Sequence, residues 1–217
     1  MDFSFLGKYY PMFIDGTITT ISISFVALFF GVIIGLIVCL AKISNNKLFN
    51  ILASIYIEII RGTPIMVQIS IVYFGLPQIG IDFPSEFAAA AFTLSVNSGA
   101  YVAEILRSGI QAVDKGQTEA SRSLGLSYWS TMRYVIVPQA VKNVLPALAN
   151  EFISLVKESS IISIIGVVEL MFVAGMVRNS SFIALEPFLV AAAIYFVLTF
   201  TLSRLVGLLE KKMSVSN

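Results

Sequence analysis

The sequence predicts an all-α integral membrane protein of five transmembrane helices, with the N-terminus outside, the C-terminus inside and short helices in a cytoplasmic loop. Three observations predict this fold class. Of the 217 residues, 57% are hydrophobic and only 12% are charged, about half the charged share of a soluble domain. The mean hydropathy is +0.89. Long uncharged runs, bounded by charged residues, recur along the chain.

Four uncharged runs define spans, because each is close to the roughly 20 residues that a spanning helix needs. These runs are residues 16–41, 62–81, 87–103 and 187–203. The helix around 62–81 is expected to begin earlier, near Ile51, and so to include Glu58 and Arg61. Gly62 and Pro64 predict a kink or break within it.

The fourth span, residues 143–168, is assigned by parity because it contains charged residues. The segment 107–142 and the C-terminal tail are both rich in Lys and Arg, which places both in the cytoplasm by the positive-inside rule. Because both segments lie on the same side of the membrane, the chain between them must cross it an even number of times. In the resulting topology ten Lys and Arg residues lie inside, two lie outside and two lie within spans. Residues 1–217 then form a single transmembrane domain.

The composition excludes several classes of function. The absence of histidine removes the commonest general base and metal ligand. The single cysteine, Cys39, permits neither an intramolecular disulfide nor a cysteine-rich zinc site. A net charge of +1 gives no electrostatic basis for nucleic-acid binding. No dinucleotide fingerprint or phosphate-binding lysine loop is present, so an enzyme is not expected and any nucleotide chemistry must come from another chain.

The cytoplasmic loop 107–142 predicts a helix–glycine–helix elbow. Thr118 can cap a short helix, Gly125 suits its C-terminal end, and Ser127 can cap a second helix that Pro138 limits. A loop of about 35 residues is long for a connector and usually has a function. The elbow can dock into a partner protein. Equally, it can lie in the lipid interface as an amphipathic hairpin.

An ordered set of motifs in and around this loop resembles the permease subunits of bacterial ABC amino-acid importers, in the polar-amino-acid permease family. Glu119, Ala120, Ser121 and Gly125 match the EAA motif of that family, with Ser121 in place of the usual second alanine. The other matching segments are residues 61–64 (RGTP), 101–107 (YVAEILR), 115–119 (KGQTE), 135–140 (VIVPQA), 145–146 (LP), 150–151 (NE) and 164–170 (IIGVVEL). Together they extend over roughly residues 10–210.

The resemblance implies the fold of an ABC type I importer permease in the bacterial cytoplasmic (inner) membrane. It implies that the elbow from Glu119 to Gly125 contacts a separate ABC ATPase subunit, present in two copies, which would bind ATP and Mg; this chain would need no cofactor. It also implies a second permease copy, a homodimer being favoured over a heterodimer, and an extracytoplasmic amino-acid-binding protein. The expected function is ATP-driven import of a polar amino acid by alternating access. An ATP-independent channel or secondary transporter is the alternative.

Charged and polar residues at membrane depth are candidates for the substrate pathway, because a charge at a helix centre costs about 2.5–3.5 kcal/mol. The candidates are Glu58, Arg61, Gln68, Asn97, Glu104, Lys157, Glu158, Ser159 and Ser160. Lys157 can meet a substrate carboxylate and Glu158 an amino group. The carboxylates favour a basic amino acid, with glutamine or another polar amino acid left open. In the structural alternative, the two Glu/Arg pairs three residues apart form interfacial salt bridges, and the amides and serines join helices.

Overall fold

The computed structural model is all-helical and describes residues 1–214, with side chains described through residue 211. The α-helices are α1 (Leu6–Ile43), α2 (Lys47–Gly62), α3 (Ile65–Ser70), α4 (Glu86–Gln111), α5 (Lys115–Ser123), α6 (Tyr128–Thr131), α7 (Val137–Glu158), α8 (Leu170–Ser181) and α9 (Glu186–Ser214). Short π-helical or 3-10 segments join or extend them at Ile71–Gly75, Leu76–Ile79, Met132–Ile136 and Ser159–Ile165.

Two of the described helices, α1 and α9, are long and apolar enough to cross a membrane. The number rises to four if each of two bent helix pairs counts as one span: Lys47–Gly62 with Ile65–Ile79, and Tyr128–Ile165 with Leu170–Ser181. These four correspond to the predicted first, fifth, second and fourth spans. The predicted third span, α4, is not among them, so the count of five stays a prediction.

Helix α4 lies at the centre of the bundle, where twelve of its 26 residues are buried. Its contact with α1 depends on glycine. A Cβ atom added to Gly31 would lie 2.9 Å from the Ser98 Cβ, and one added to Gly35 would lie 2.6 Å from the Val102 Cγ1. Lipid provides no hydrophobic drive for helix association, so close packing of small residues is what holds such helices together.

The long helices alternate in direction. Gly31 faces Ser98 and Gly35 faces Val102, so α1 and α4 run parallel. Helix α7 runs antiparallel to α4. Gly109, late in α4, faces Val144, whereas Ser98, earlier in α4, bonds Glu151, which comes later in α7.

The remaining two long helices follow the same pattern relative to α1. The Lys42 side chain donates a hydrogen bond to Ser54, and Cys39 packs in one cluster with Ile57, so α2 runs antiparallel to α1. Ala191 shares a cluster with Phe13, and residues 197–202, later in α9, line one pocket together with Ile21. Helix α9 is therefore parallel to α1. Consecutive crossings of a membrane require this alternation.

Two hydrophobic clusters hold the bundle together. The central cluster joins α1, α3, α4, α7 and the following 3-10 segment, through Ile23, Ala27, Ile69, Ala90, Leu94, Leu155, Ile162, Ile165 and Val167. The α8 cluster joins the first half of α1 to α8 and α9, through Phe5, Phe13, Leu170, Val173, Ala174, Val177 and Ala191.

Several predicted boundaries were wrong, most of them too narrow. Helix α1 begins at Leu6 and α7 at Val137, because helical hydrogen bonding continues beyond the uncharged runs, through charged residues such as Asp15 and Lys142. The first elbow helix is capped by Asp114, whose carboxylate accepts from the Gly116 amide at 2.7 Å, and not by Thr118. Pro138 does not end the second elbow helix. It lies just after the π-helical segment Met132–Ile136, as the second residue of α7, and the helical stretch continues through it.

The glycine contact between α1 and α4 generates a stability prediction. We expect Gly35→Ala to lower the free energy of unfolding by about 1–3 kcal/mol, the usual cost of overpacking, because its Cβ would lie 3.0 Å from the Ala103 backbone nitrogen. Gly175→Ala is the matched control, since this helical glycine has no atom within 4 Å of the added Cβ. Thermal unfolding in detergent would show the difference, and equal stability of the two variants would contradict the packing assignment.

Candidate functional site

The predicted break at Gly62 and Pro64 is confirmed. Helix α2 ends at Gly62, and Thr63 and Pro64 are extended, with ψ angles of 142° and 136°. The axes of Lys47–Gly62 and Ile65–Ile79 differ by 102°. Such a break leaves backbone carbonyls without helical partners, which inside a membrane is tolerated only against protein or water.

Gln68 supplies the missing partners at this break. Its side-chain nitrogen donates to the Ile60 carbonyl at 2.7 Å, the Thr63 carbonyl at 3.1 Å and the Thr63 hydroxyl at 2.9 Å. Its side-chain oxygen accepts from the Asn97 amide at 2.9 Å. Both amides are buried. Gln68 and Asn97 therefore fasten the broken helix to α4, a contact that joins helices as the structural alternative described.

One turn of α4 carries a second polar contact, which sequence reasoning missed. Ser98, next to Asn97, donates to Glu151 Oε1 at 2.8 Å, and Ser98 is the one hydrogen-bond partner of Glu151 among the described side chains. This carboxylate is partly buried between α4 and α7. The sequence signal was weak, since Glu151 appeared only as part of a two-residue motif. Its position seven residues before Glu158 places both on one side of α7.

The two Glu/Arg pairs differ from one another. Glu104 and Arg107 form a salt bridge of 2.7 Å, as the interfacial alternative predicted. Glu58 and Arg61 form none; Arg61 instead lies 5.2 Å from the centre of the Tyr101 ring, in a cation–π contact. Glu58 is exposed on the surface of this single chain.

Lys157 and Glu158 lie where α7 changes into the 3-10 segment Ser159–Ile165. Both are exposed in the single chain, whereas Ser159 is buried and donates to the Val156 carbonyl at 2.9 Å. Ser160 donates to the Lys157 carbonyl at 2.7 Å. A cleft between α7, α8 and α9 is lined by Lys157, Ser160, Met171, Phe188, Ala191, Ala192 and Tyr195. Of the candidate residues, Lys157 and Ser160 therefore line this cleft, and Gln68, Asn97, Arg61 and Glu104 take part in contacts of α4. Glu58, Glu158 and Ser159 belong to neither set.

A second carboxylate that sequence reasoning missed is Glu169, which is completely buried. It precedes α8, and its oxygens accept from the amides of Met171 and Phe172 and from the Tyr195 hydroxyl. It stood in the 164–170 motif without an assigned role. Its partners on α9 are too distant in sequence for pattern analysis to connect.

The prediction that Gly125 ends the first elbow helix is confirmed. Gly125 has a φ of +84°, which only glycine adopts without strain. The Leu126 amide bonds the Ser121 carbonyl at 3.1 Å, and the Gly125 amide bonds the Arg122 carbonyl at 3.0 Å, the hydrogen-bond pair of a Schellman motif. Ser127 caps the next helix by accepting from the Ser130 amide at 3.1 Å.

The elbow exposes one side and packs the other. Glu119 and Ala120 are exposed, whereas Ser121 is buried and its hydroxyl donates to the Gln117 carbonyl at 2.6 Å. Two large apolar side chains at the tip are also exposed, Leu124 at 84% and Trp129 at 80%. Large apolar side chains this exposed, close together in sequence, are candidates for contact with a partner.

Comparison with known proteins gives concordant matches over nearly the whole chain. Residues 27–215 match the family described as "Binding-protein-dependent transport system inner membrane component". The putative glutamine transport system permease protein GlnP of Rickettsia felis is 42% identical, over 99% of this chain and 100% of that protein. The arginine transport system permease protein ArtQ of Bacillus subtilis is 41% identical, over 98% and 97%.

Solved structures give the same result. The crystal structure of an amino acid ABC transporter with histidines superposes with a TM-score of 0.94 at 50% identity, covering 98% of this chain and 99% of that one. An inward-facing structure of the MetNI methionine ABC transporter has a TM-score of 0.74 at 22% identity, covering 96% and 99%, a likeness of fold.

The amide contacts at the helix break generate a second prediction. We expect Gln68→Leu to lower the free energy of unfolding by about 1–3 kcal/mol, because it leaves the buried Asn97 amide without its partner and removes the bonds to the Ile60 and Thr63 carbonyls. Gln78→Leu is the matched control: it removes one bond, from an exposed amide to the Phe74 carbonyl, and should change stability by less than about 0.5 kcal/mol. Chemical unfolding in detergent measures both. Equal effects would show that Gln68 does not support the break.

Proposed function

We propose a specific transport cycle for this chain, on the premise that it belongs to the family of binding-protein-dependent transport system inner membrane components. It is a permease subunit of an amino-acid ABC importer, lies in the inner membrane and is not itself an enzyme. In the proposed cycle the chain moves a basic L-amino acid into the cytoplasm by alternating access. Hydrolysis of ATP in a partner subunit drives the change, and the elbow transmits it.

The projection of the elbow from the bundle carries this proposal. Residues 128–165 form one uninterrupted helical stretch, and Ile162 packs beside Ile23, near the middle of α1. Tyr128 is 34 residues from Ile162, about 50 Å along a helix. Half of the bilayer hydrocarbon is only about 15 Å thick. The elbow therefore extends into water, where its exposed Leu124 and Trp129 favour a protein partner over the lipid interface.

The alternation of helix directions supports five spans. Helices α1, α4 and α9 run one way and α2 and α7 run the other, as five consecutive crossings require. The elbow is at the same end as the C-termini of α1 and α4. The Lys and Arg content of that end favours the cytoplasm, which leaves the N-terminus outside.

A basic substrate is favoured by carboxylates that form no salt bridge among the described side chains. Glu104 is paired with Arg107, but Glu151 bonds only Ser98 among the described side chains. Glu158 is exposed on the single chain beside the cleft that Lys157 and Ser160 line. Carboxylates at membrane depth suit an amino group or a guanidinium, and Lys157 suits the substrate carboxylate. Because relatives are named for both glutamine and arginine, glutamine is the competing substrate.

The proposed assembly contains two copies of this chain, two ABC ATPase subunits that bind ATP and Mg, and an extracytoplasmic amino-acid-binding protein. Glu119, Ala120, Ser121 and Gly125 would contact the ATPase. A homodimer is favoured over a heterodimer because no sequence feature of this chain points to a role that only one of two different permease subunits would have. An ATP-independent channel or secondary transporter for a small polar solute remains the second candidate function, favoured by the same unpaired carboxylates.

The coupling role of the elbow is tested by Gly125→Arg. We expect the ATPase subunit to co-purify at least about tenfold less, since a loss of 1.4 kcal/mol is enough for this. Gly80→Arg is the matched control: Gly80 and Gly125 have φ angles of +81° and +84°, and neither has an atom within 4 Å of an added Cβ. Equal co-purification of both variants would refute the coupling role. Transport by the wild-type chain in liposomes without ATP would favour the second candidate.

Charge recognition is tested by Glu151→Gln and Glu158→Gln in the reconstituted complex. We expect uptake of arginine to fall about tenfold more than uptake of glutamine, the effect of one lost charge contact of about 1.4 kcal/mol. Glu86→Gln, at the exposed start of α4, is the control and should change neither uptake. Equal losses for arginine and glutamine would remove the charge-recognition hypothesis while leaving the importer function intact.

A further inference from the structure

The break between α2 and α3 lies near the middle of the membrane. Gln68, which covers the break, accepts a hydrogen bond from Asn97 of α4. Asn97 is 11 residues from the start of α4 at Glu86 and 14 residues from its end at Gln111, which is about 17 Å and 21 Å along the helix. The bilayer hydrocarbon is about 30 Å thick. In the five-span topology the polar groups at the break are therefore far from both membrane surfaces.

Two carbonyls at this break receive no hydrogen bond from any residue that the structure describes. Gln68 bonds the carbonyls of Ile60 and Thr63, but those of Arg61 and Gly62 have no donor, because the next two residues are extended and carry the following amides away. A Cβ atom added to Gly62 would have no atom within 4 Å, so there is open space beside these carbonyls. As the last carbonyls of a helix, they attract a positively charged group.

The Arg61 guanidinium, at the same helix end, forms no salt bridge among the described side chains. Both oxygens of Glu104 are bonded by Arg107, at 2.7 to 3.2 Å, and Glu58, one turn before Arg61, does not pair with it. Arg61 is exposed in the single chain, and it lies 5.2 Å from the centre of the Tyr101 ring. A charged side chain at membrane depth normally has a partner, so we expect a carboxylate from outside this chain.

The end of α2 therefore presents a positive and a negative group side by side. An amino acid carries the complementary pair, a carboxylate and an ammonium group on one carbon atom. A guanidinium binds a carboxylate through two parallel hydrogen bonds, and backbone carbonyls accept from an ammonium group. In other transport proteins the ends of broken transmembrane helices bind charged groups of the substrate in this way. Arginine and glutamine, the two substrates considered above, share both groups.

We propose that the end of α2 binds the α-amino and α-carboxylate groups of the transported amino acid. Arg61 holds the carboxylate, and the carbonyls of Arg61 and Gly62 hold the amino group. The proposal rests on the transport function proposed above. Lys157 is the other cation within the spans of the five-span topology, but the remaining residues of its cleft are Ser160 and apolar or aromatic side chains. That cleft offers fewer acceptors to the amino group than the end of α2 does.

The test uses two ligands that differ by one group. The permease–ATPase complex is purified in detergent without the binding protein, and dissociation constants are measured for arginine and for agmatine, which is arginine without its carboxylate. The ratio of the agmatine constant to the arginine constant should be about tenfold lower in Arg61→Gln than in the wild type, the effect of one lost charge contact of about 1.4 kcal/mol.

Arg204→Gln is the matched control. It removes another exposed arginine that lies over an aromatic ring, 5.0 Å from the centre of the Phe200 ring, and it should leave the ratio unchanged. Arg61→Lys is a second variant in case Arg61→Gln does not assemble. It keeps the charge but not the two parallel bonds, so we expect the ratio to fall about threefold, and an unchanged ratio would overturn the proposal.

Three other results would also overturn it. In Arg61→Gln, equal weakening of arginine and agmatine binding would show a structural role for Arg61. A ratio that falls in Lys157→Gln and not in Arg61→Gln would place the carboxylate at Lys157. An unchanged ratio together with loss of the second permease copy from the purified Arg61→Gln complex would show that Arg61 pairs with that copy.

The carbonyls are tested with 5-guanidinopentanoate, which is arginine without its α-amino group. It should bind the wild-type complex about tenfold more weakly than arginine, and equal binding would overturn the role of the carbonyls. ATP-driven uptake of arginine and glutamine is measured in liposomes from the same preparation with the binding protein added. Uptake combined with a ratio that does not depend on Arg61 would overturn this site and leave the transport function intact. A wild-type complex that takes up neither amino acid would refute the transport function and this site with it.

Discussion

Broken helices in a bilayer must satisfy their freed backbone groups from within the chain, and much of this structure follows from that constraint. At Gly62–Pro64 the freed carbonyls are bonded by Gln68, a residue of the next helix that folds back over the break. At the start of α8 the freed amides are bonded by Glu169. In both places the same polar side chain also bonds a helix that is distant in sequence. One side chain therefore satisfies the freed backbone groups and joins two helices.

The packing of α4 explains how polar contacts can occupy the centre of the bundle. Glycines of α1 bring its backbone close to Ser98 and Val102, and these small contacts leave no lipid between the helices. The polar side chains of Asn97 and Ser98 are then directed towards α3 and α7, where they find hydrogen-bond partners. The helix that supports the bundle is therefore also the helix that carries much of the candidate pathway.

Sequence reasoning succeeded where one residue determines the backbone. Pro64 has no backbone N–H to donate and disfavours helical geometry at Thr63, and Gly125 permits the left-handed φ that ends a helix, so both features were predictable. It failed where partners are distant: Ser98 and Glu151 are 53 residues apart, and only the fold brings them together. Helix ends were underestimated because charged residues stop a hydrophobic run without stopping a helix. Asp114 is a better N-cap by residue type than Thr118, and the helix begins directly after it.

The composition of α4 has a consequence for the synthesis of the chain. A segment with buried Asn97, Ser98 and Thr93 partitions weakly from the insertion channel into lipid when it is alone. Helix α1 is made first, runs parallel to α4 and presents Gly31 and Gly35, against which Ser98 and Val102 pack. In the predicted five-span topology, we therefore expect α4 to enter the bilayer beside α1 and not alone. The order in which the ribosome delivers the two helices would then assist the insertion of α4.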